Sequence, residues 1–147
     1  MRILGIDLGE KRIGIAISDE LEITAQGLPT IPSLNEDENL KNIAKIVDKY
    51  DVKRIVLGLP KNMNGTLGKQ AKKAISFGEK LKEICQLPVE LEDERLSTLK
   101  AEKLLIYADQ RRKKRKKIVD KMSAVIILQS FLDRRMMNKE IENELHL

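Results

Sequence analysis

Asp7, Glu94 and Asp120 are the carboxylates whose types and positions could do chemistry together. Asp7 lies inside RILGIDLG (2–9), the most apolar strand-like segment, where aspartate is depleted and an unpaired buried charge is expensive. By strand alternation it shares a face with Ile3, Gly5 and Gly9, and those glycines leave room for a group to approach. A salt bridge to Arg12 across the following turn would explain it equally well. Glu94 closes an acidic cluster with Glu90, Glu92 and Asp93, at the strand end where parallel α/β folds present ligand-binding groups. Spacing alone chooses neither Glu94 over Asp93 nor a site over a solvated strand end. Asp120 opens the last helix-like segment, where a plain N-cap would account for it. The apolar AVIIL (124–128) that follows must pack on the sheet, which would hold Asp120 near it. Convergence of the three would suit phosphodiester hydrolysis with two divalent ions about 3.5–4 Å apart. One ion would acidify an attacking water, the other would stabilise the leaving oxygen, and both would relieve repulsion between the carboxylates.

What is scarce narrows the chemistry further. The single histidine, His146, is penultimate, and Cys85 is the only cysteine. A zinc centre, a Ser-His-Asp triad and a Cys-His pair are therefore not expected. Carboxylates must carry any catalysis, and the hard cations Mg²⁺ or Mn²⁺ are the expected cofactors, two ions with substrate bound. One cysteine forms no internal disulfide, which fits a reducing, cytoplasmic setting. No apolar run approaches the ~20 residues of a membrane span, and the N-terminus opens directly into a strand, so neither membrane nor signal peptide is expected.

The net charge of +5 is local. Arg111, Arg112, Lys113, Lys114, Arg115, Lys116 and Lys117 are seven consecutive cations, and without them the chain carries −2. Such a run is either a solvated loop or a polyanion contact. Aromatic residues are few (Tyr50, Phe77, Tyr107 and Phe131), so base-stacking platforms are not expected, and recognition should run through phosphates and shape.

The elements that must position these groups follow from periodicity. Residues 2–9 and 12–18 predict a hairpin about Gly9-Glu10-Lys11, and a less regular third strand follows around 22–31, broken by Gly27 and Pro29. Ser33 and Glu36 have capping-box spacing before a helix with Leu40, Ile43, Ala44 and Val47 inward, ending near Tyr50. RIVLGL (54–59) reads as a strand buried on both faces, and PKNMNGTLG (60–68) as a loop. A helix over about 69–86 has Ala71, Ala74, Ile75, Gly78, Leu81 and Ile84 inward, and a short strand spans 88–93. Ser97 caps a predicted helix over about 98–108, and a last helix covers about 118–134 before a charged tail expected to fray from about 135. This order predicts one α/β domain over 1–147, a mixed five-stranded sheet with helices on both faces and the first strand central.

IDLGEKRIGIAISD (6–19), VLGLPKNMNGT (56–66), EDERLST (92–98) and VDKMSAVIILQSFLD (119–133) together resemble the YqgF family, also called RuvX. Its members look like Holliday junction resolvases of the RuvC type and share the ribonuclease H-like fold. The resemblance covers nearly the whole chain, in the family's order. It implies a metal-dependent nuclease, endo- or exonucleolytic, in maturation of the 5′ end of pre-16S ribosomal RNA. The older assignment was Holliday junction resolution. It places the family's metal-binding, catalytic residues on Asp7, Glu94 and Asp120, choosing Glu94 over Asp93. Ser97 stands where threonine is common, and Met122-Ser123 replaces a more usual Ile-Ala. Only three carboxylates match, where many related folds use four, which leaves a fourth ligand to water or the nucleic acid.

The expected partner is a nucleic acid, pre-rRNA or a pre-ribosomal particle, or branched DNA, met by a monomer or homodimer. Lys61, Arg95 and the run from Arg111 to Lys117 are the candidate contacts. The loop at 58–66 is either a phosphate cradle of backbone amides or an ordinary turn at Asn64-Gly65. Two rivals stand beside the nuclease. A sugar-kinase-like ATPase needs a second such domain, and a ribosome assembly factor would bind RNA without cutting it.

Overall fold

A computed structural model describes the backbone of residues 1–95 and 112–145 and the side chains of 1–95 and 123–145. The strands are β1 (Arg2–Leu8), β2 (Arg12–Ser18), β3 (Ala25–Pro32), β4 (Val52–Leu59) and β5 (Val89–Asp93), and the helices are α1 (Glu36–Lys49), α2 (Lys69–Cys85) and α3 (Arg112–Leu145). The sheet order is β3-β2-β1-β4-β5, with β2 antiparallel to β1 and β3, and β4 parallel to β1 and β5. The first strand is central and the sheet mixed, as the patterning predicts.

Alternation along β1 explains why both faces are covered. Leu4 and Ile6 join Ile13, Ile15, Ile55 and Leu57 beneath α1 and α2, which contribute Leu40, Ile43, Val47, Ala71, Phe77 and Leu81. Ile3 joins Ala16 and Val56 beneath α3, which contributes Ala124, Ile127, Leu128, Phe131 and Leu132. The contact with α3 is close because β1 has no side chain at its centre. A Cβ on Gly5 would stand 2.8 Å from Leu128 Cβ and 3.2 Å from the Ala124 carbonyl oxygen. Gln129 fixes the same helix laterally, accepting from the Ala25 N–H and donating to the Ile23 carbonyl, each at 2.9 Å.

Several local expectations are corrected. Asn35 caps α1, its side chain accepting from the Glu38 N–H at 2.9 Å, while the Ser33 hydroxyl accepts from Asn39 inside the turn. On α2, Phe77 is buried and Ile84 is 54% exposed, because the inward stripe runs through Ala74, Phe77 and Leu81 to Cys85 in the last turn. The predicted helix over 98–108 and its Ser97 cap lie outside the described residues. The last helix is longer than its apolar stripe suggests. It begins at Arg112, taking in Arg112 to Lys117, and runs to Leu145, so the segment from 135 is helical rather than frayed. Glu22 holds part of this extension through Arg135 at 3.7 Å and Lys139 at 3.5 Å. Among the described residues no helix is long and apolar enough to cross a membrane.

Candidate metal and nucleic-acid site

The carboxyl ends of the parallel strands β1, β4 and β5 gather the acidic groups. Asp7 is the penultimate residue of β1, half-buried on the α3 face and paired in register with Gly14. Its Oδ2 accepts a 2.5 Å hydrogen bond from Ser123 Oγ of α3. Arg12 is exposed and paired in register with Pro32, and among the described residues no ion pair joins it to Asp7. The hairpin salt bridge that would have made Asp7 purely structural is therefore not formed.

Glu94 leaves the end of β5 so that its carboxyl lies over Gly58 of β4, where any Cβ would overlap Oε1. There it is hydrogen-bonded to Asp7. Two carboxyl groups share a hydrogen bond only when one keeps a proton. Here Glu94 keeps it: burial first, then the hydrogen bond and charge of Asp7, then the charge of Asp93, push its pKa up from 4.5 to about 9.

The neighbouring acids are otherwise engaged. Asp93 accepts from the Arg95 backbone N–H at 3.0 Å and from its guanidinium at 2.7 and 3.1 Å. The Arg95 side chain chiefly, with its backbone N–H and the nearby Lys61, holds the Asp93 carboxyl below its ordinary value against the opposing push of burial. Glu92 is buried and takes a forked pair from Arg134 of α3, with Nη1 to Oε1 at 2.7 Å. Glu90 pairs with Arg54 at 2.6 Å. Of the four clustered acids, only Glu94 meets Asp7.

Asp120 lies within α3, eight residues after the helix begins, so it is neither an N-cap nor the opening of the helix as expected. Its backbone stands one turn before Ser123, at the spacing that puts i and i+3 on one helix face. Its side chain lies outside the described set.

The donors that meet here are all oxygens, and two of them share a proton. A hard divalent cation fits such a pair, because carboxylate oxygens are its preferred donors and its binding would release the proton. Asp7 and Glu94 are the described side chains that could hold it, and among the described residues no group of three such side chains gathers.

Arg112 to Lys117 form the first turns of α3, and Arg111 lies outside the described residues. Lys61 is half-buried beside the site. Arg95 is committed to Asp93 and to the Met63 carbonyl. The loop after β4 is not an open cradle of amides. The N–H groups of Lys61, Asn62 and Gly65 go to the carbonyls of Leu59, Thr66 and Asn62, and that of Thr66 goes to Asn64 Oδ1.

Sequence reasoning missed Ser123 and Gly58 as parts of the site. Each left a signal. Ser123 is a hydroxyl at the start of an apolar helix face, and Gly58 is a glycine inside a buried strand, where close approach of another group is the usual reason.

The sequence matches the family model described as "RuvX: Holliday junction resolvase" over residues 1–134. The chain belongs to the RuvX family. A relative from Bacillus cereus (strain AH187), named "Putative pre-16S rRNA nuclease", is 56% identical over 138 residues, covering 92% of this chain and all of the relative. One of the same name from Clostridium kluyveri is 54% identical over 134 residues, covering 91% of this chain and 98% of the relative. Among solved structures, T. thermophilus RuvC in complex with a Holliday junction substrate superposes with a TM-score of 0.63. It covers 92% of this chain and 96% of that one at 12% identity, a likeness of fold alone. The RuvX chain is thus a nuclease, a hydrolase of phosphodiester bonds, built on an α/β ribonuclease H-like fold.

Proposed function

We propose that this RuvX chain is a divalent-metal nuclease of pre-16S ribosomal RNA, working at the RNA's 5′ end, with Asp7, Glu94 and Asp120 as its metal-holding, catalytic carboxylates. The single observation that carries the reading is the meeting of Asp7 and Glu94 at the ends of neighbouring strands, with the Glu94 carboxyl turned in over Gly58. Two acids brought together at a partly buried strand end are poorly explained by stability, because burying carboxylates costs free energy. Mg²⁺ or Mn²⁺ bound there would acidify a water and stabilise the leaving oxygen. Asp7 and Glu94 orient the charge, and Ser123 fixes the Asp7 carboxylate by donating to Oδ2. Gly58 keeps the space that lets Glu94 reach this position.

The test is cleavage of a labelled pre-16S 5′-leader RNA and a four-way DNA junction, with Mg²⁺ or Mn²⁺, by wild type and Asp7→Asn. The expected result is metal-dependent trimming of the RNA, reduced at least about 100-fold in the variant. Symmetric cutting of the junction would select the resolvase reading. Equal RNA binding by both proteins with no cleavage would select an assembly factor.

The basic run supports a polyanion partner on physical grounds. Arg112 to Lys117 are six consecutive cations on helical backbone, a local charge density that phosphates would neutralise. Replacing Lys113, Lys114, Lys116 and Lys117 with Ala is therefore expected to weaken RNA binding and lower the salt slope by roughly 0.7–0.9 per lost phosphate contact. The melting temperature should hold or rise. Anisotropy titrations across several salt concentrations would read this, and an unchanged affinity and slope would remove the run from the interface.

A further inference from the structure

All three nitrogens of the Arg95 guanidinium donate within the protein. Nε lies 3.1 Å from both Asp93 carboxylate oxygens, Nη2 lies 2.7 Å from Oδ2, and Nη1 donates to the Met63 carbonyl at 3.2 Å. One side chain thus ties the residue before Glu94 to the middle of the 60–68 loop. The loop is also closed on itself. Asn62 Nδ2 donates to Thr66 Oγ1 at 3.0 Å, Thr66 Oγ1 donates to Asn64 Oδ1 at 2.6 Å, and Gly65 takes the left-handed turn at φ +86°. The guanidinium packs on that turn, 3.5 Å from where a Cβ of Gly65 would stand. The loop so held presents Met63, 79% exposed, and carries Lys61 close enough to act on Asp93.

An exposed thioether on a held backbone, two residues from a cation and adjoining a phosphodiester site, suits one nucleotide: the cation for its phosphate, the apolar side chain against its base. We propose that Arg95 is a positioning residue that clamps the 60–66 loop to the Asp93–Glu94 strand end, so that Lys61 and Met63 grip the nucleotide next to the scissile phosphate. This rests on the nuclease reading. It differs from direct phosphate binding by Arg95, since in the clamp the guanidinium acts through Asp93 and Met63. Lysine cannot replace it, because a single ammonium lacks the fork that reaches a carboxylate and a carbonyl together.

The experiment compares wild type with Arg95→Ala, Arg95→Lys, Asp93→Asn and the Arg95→Ala/Asp93→Asn double variant. It uses full-length protein, the leader RNA and hydrogen exchange of the RNA-free proteins. Expected are faster exchange in the 61–66 amides in every variant and KM raised about tenfold with kcat changed less than about threefold. Arg95→Lys should fail to rescue, and the double variant should be no worse than Arg95→Ala, as residues of one device are not additive. The clamp would be overturned if Arg95→Lys behaved as wild type while Asp93→Asn bound RNA as well or better. Unchanged loop exchange would overturn it too. That readout needs no substrate, so it stands apart from any failure of the nuclease reading, which would show as no cleavage by wild type.

Discussion

Glu94→Gln is expected to abolish metal-dependent cleavage, by roughly 1,000-fold, while making the metal-free protein more stable at neutral and alkaline pH. The second half follows from the proton that Glu94 keeps. Its folded pKa of about 9 lies above the ordinary 4.5. Between those values the folded protein holds a proton that the unfolded chain has released, so stability falls as pH rises from about 4.5 to about 9. The contribution is complete below the lower value and lost above the higher one. A glutamine amide imitates the protonated acid, donating to Asp7 at every pH, so it removes that slope. The gain at pH 7 should reach up to about 3 kcal/mol. The same proton competes with the cation. Wild-type affinity for Mn²⁺ should rise as pH increases toward 9, with close to one proton released per ion, visible as a buffer-dependent binding enthalpy. Thermal melts from about pH 5 to about pH 9 in chelator would check the first point and calorimetry the second. A flat wild-type stability profile, or a variant destabilised at about pH 8, would mean that the pair does not share a proton.

Gly58→Ala should be nearly as damaging for a different reason. The added methyl would overlap Glu94 Oε1 and stand 2.8 Å from Ile127 Cδ1, so one or both side chains must shift. Ile127 is 1% exposed and packed beneath the sheet, so the strain must be taken up by moving Glu94 or lifting α3. Overpacking of this kind costs about 1–3 kcal/mol, or roughly 2–4 °C of melting temperature per kcal/mol. A displacement of about 1 Å at a reacting group costs about 100-fold in rate. Cleavage should therefore fall by about that factor in a protein that still folds, and the alkaline loss of stability should shrink as Glu94 moves away from Asp7. Cleavage at the wild-type rate would show that Glu94 works from some other position.

Asp7 and Glu94 show where reading a sequence stops. Asp7 is conspicuous because a carboxylate between glycines in an apolar strand contradicts its surroundings, and local pattern is enough to register that contradiction. The order and patterning of the elements likewise predict the first hairpin, a mixed sheet with the first strand central and helices on both faces, since each apolar face must be buried. Glu94 cannot be separated from Asp93 by spacing. Their roles differ through partners that turn on tertiary contact: Arg95 folds back on Asp93, while Gly58, 36 residues before Glu94, opens the space into which Glu94 turns. Ser33 matches a capping pattern, but the chain places Asn35 at the helix start, because a pattern of types does not set the residue at which the backbone turns. Periodicity misplaces the start of α3 for a similar reason. Its first turns are mostly cations with no apolar stripe, and periodicity marks only the part of a helix that packs. Composition and order thus settle the sheet, its faces and the kind of chemistry available. The pairing of the acids and the closing of the loop are left to the tertiary structure, because each depends on contacts between segments whose distance apart no local pattern encodes.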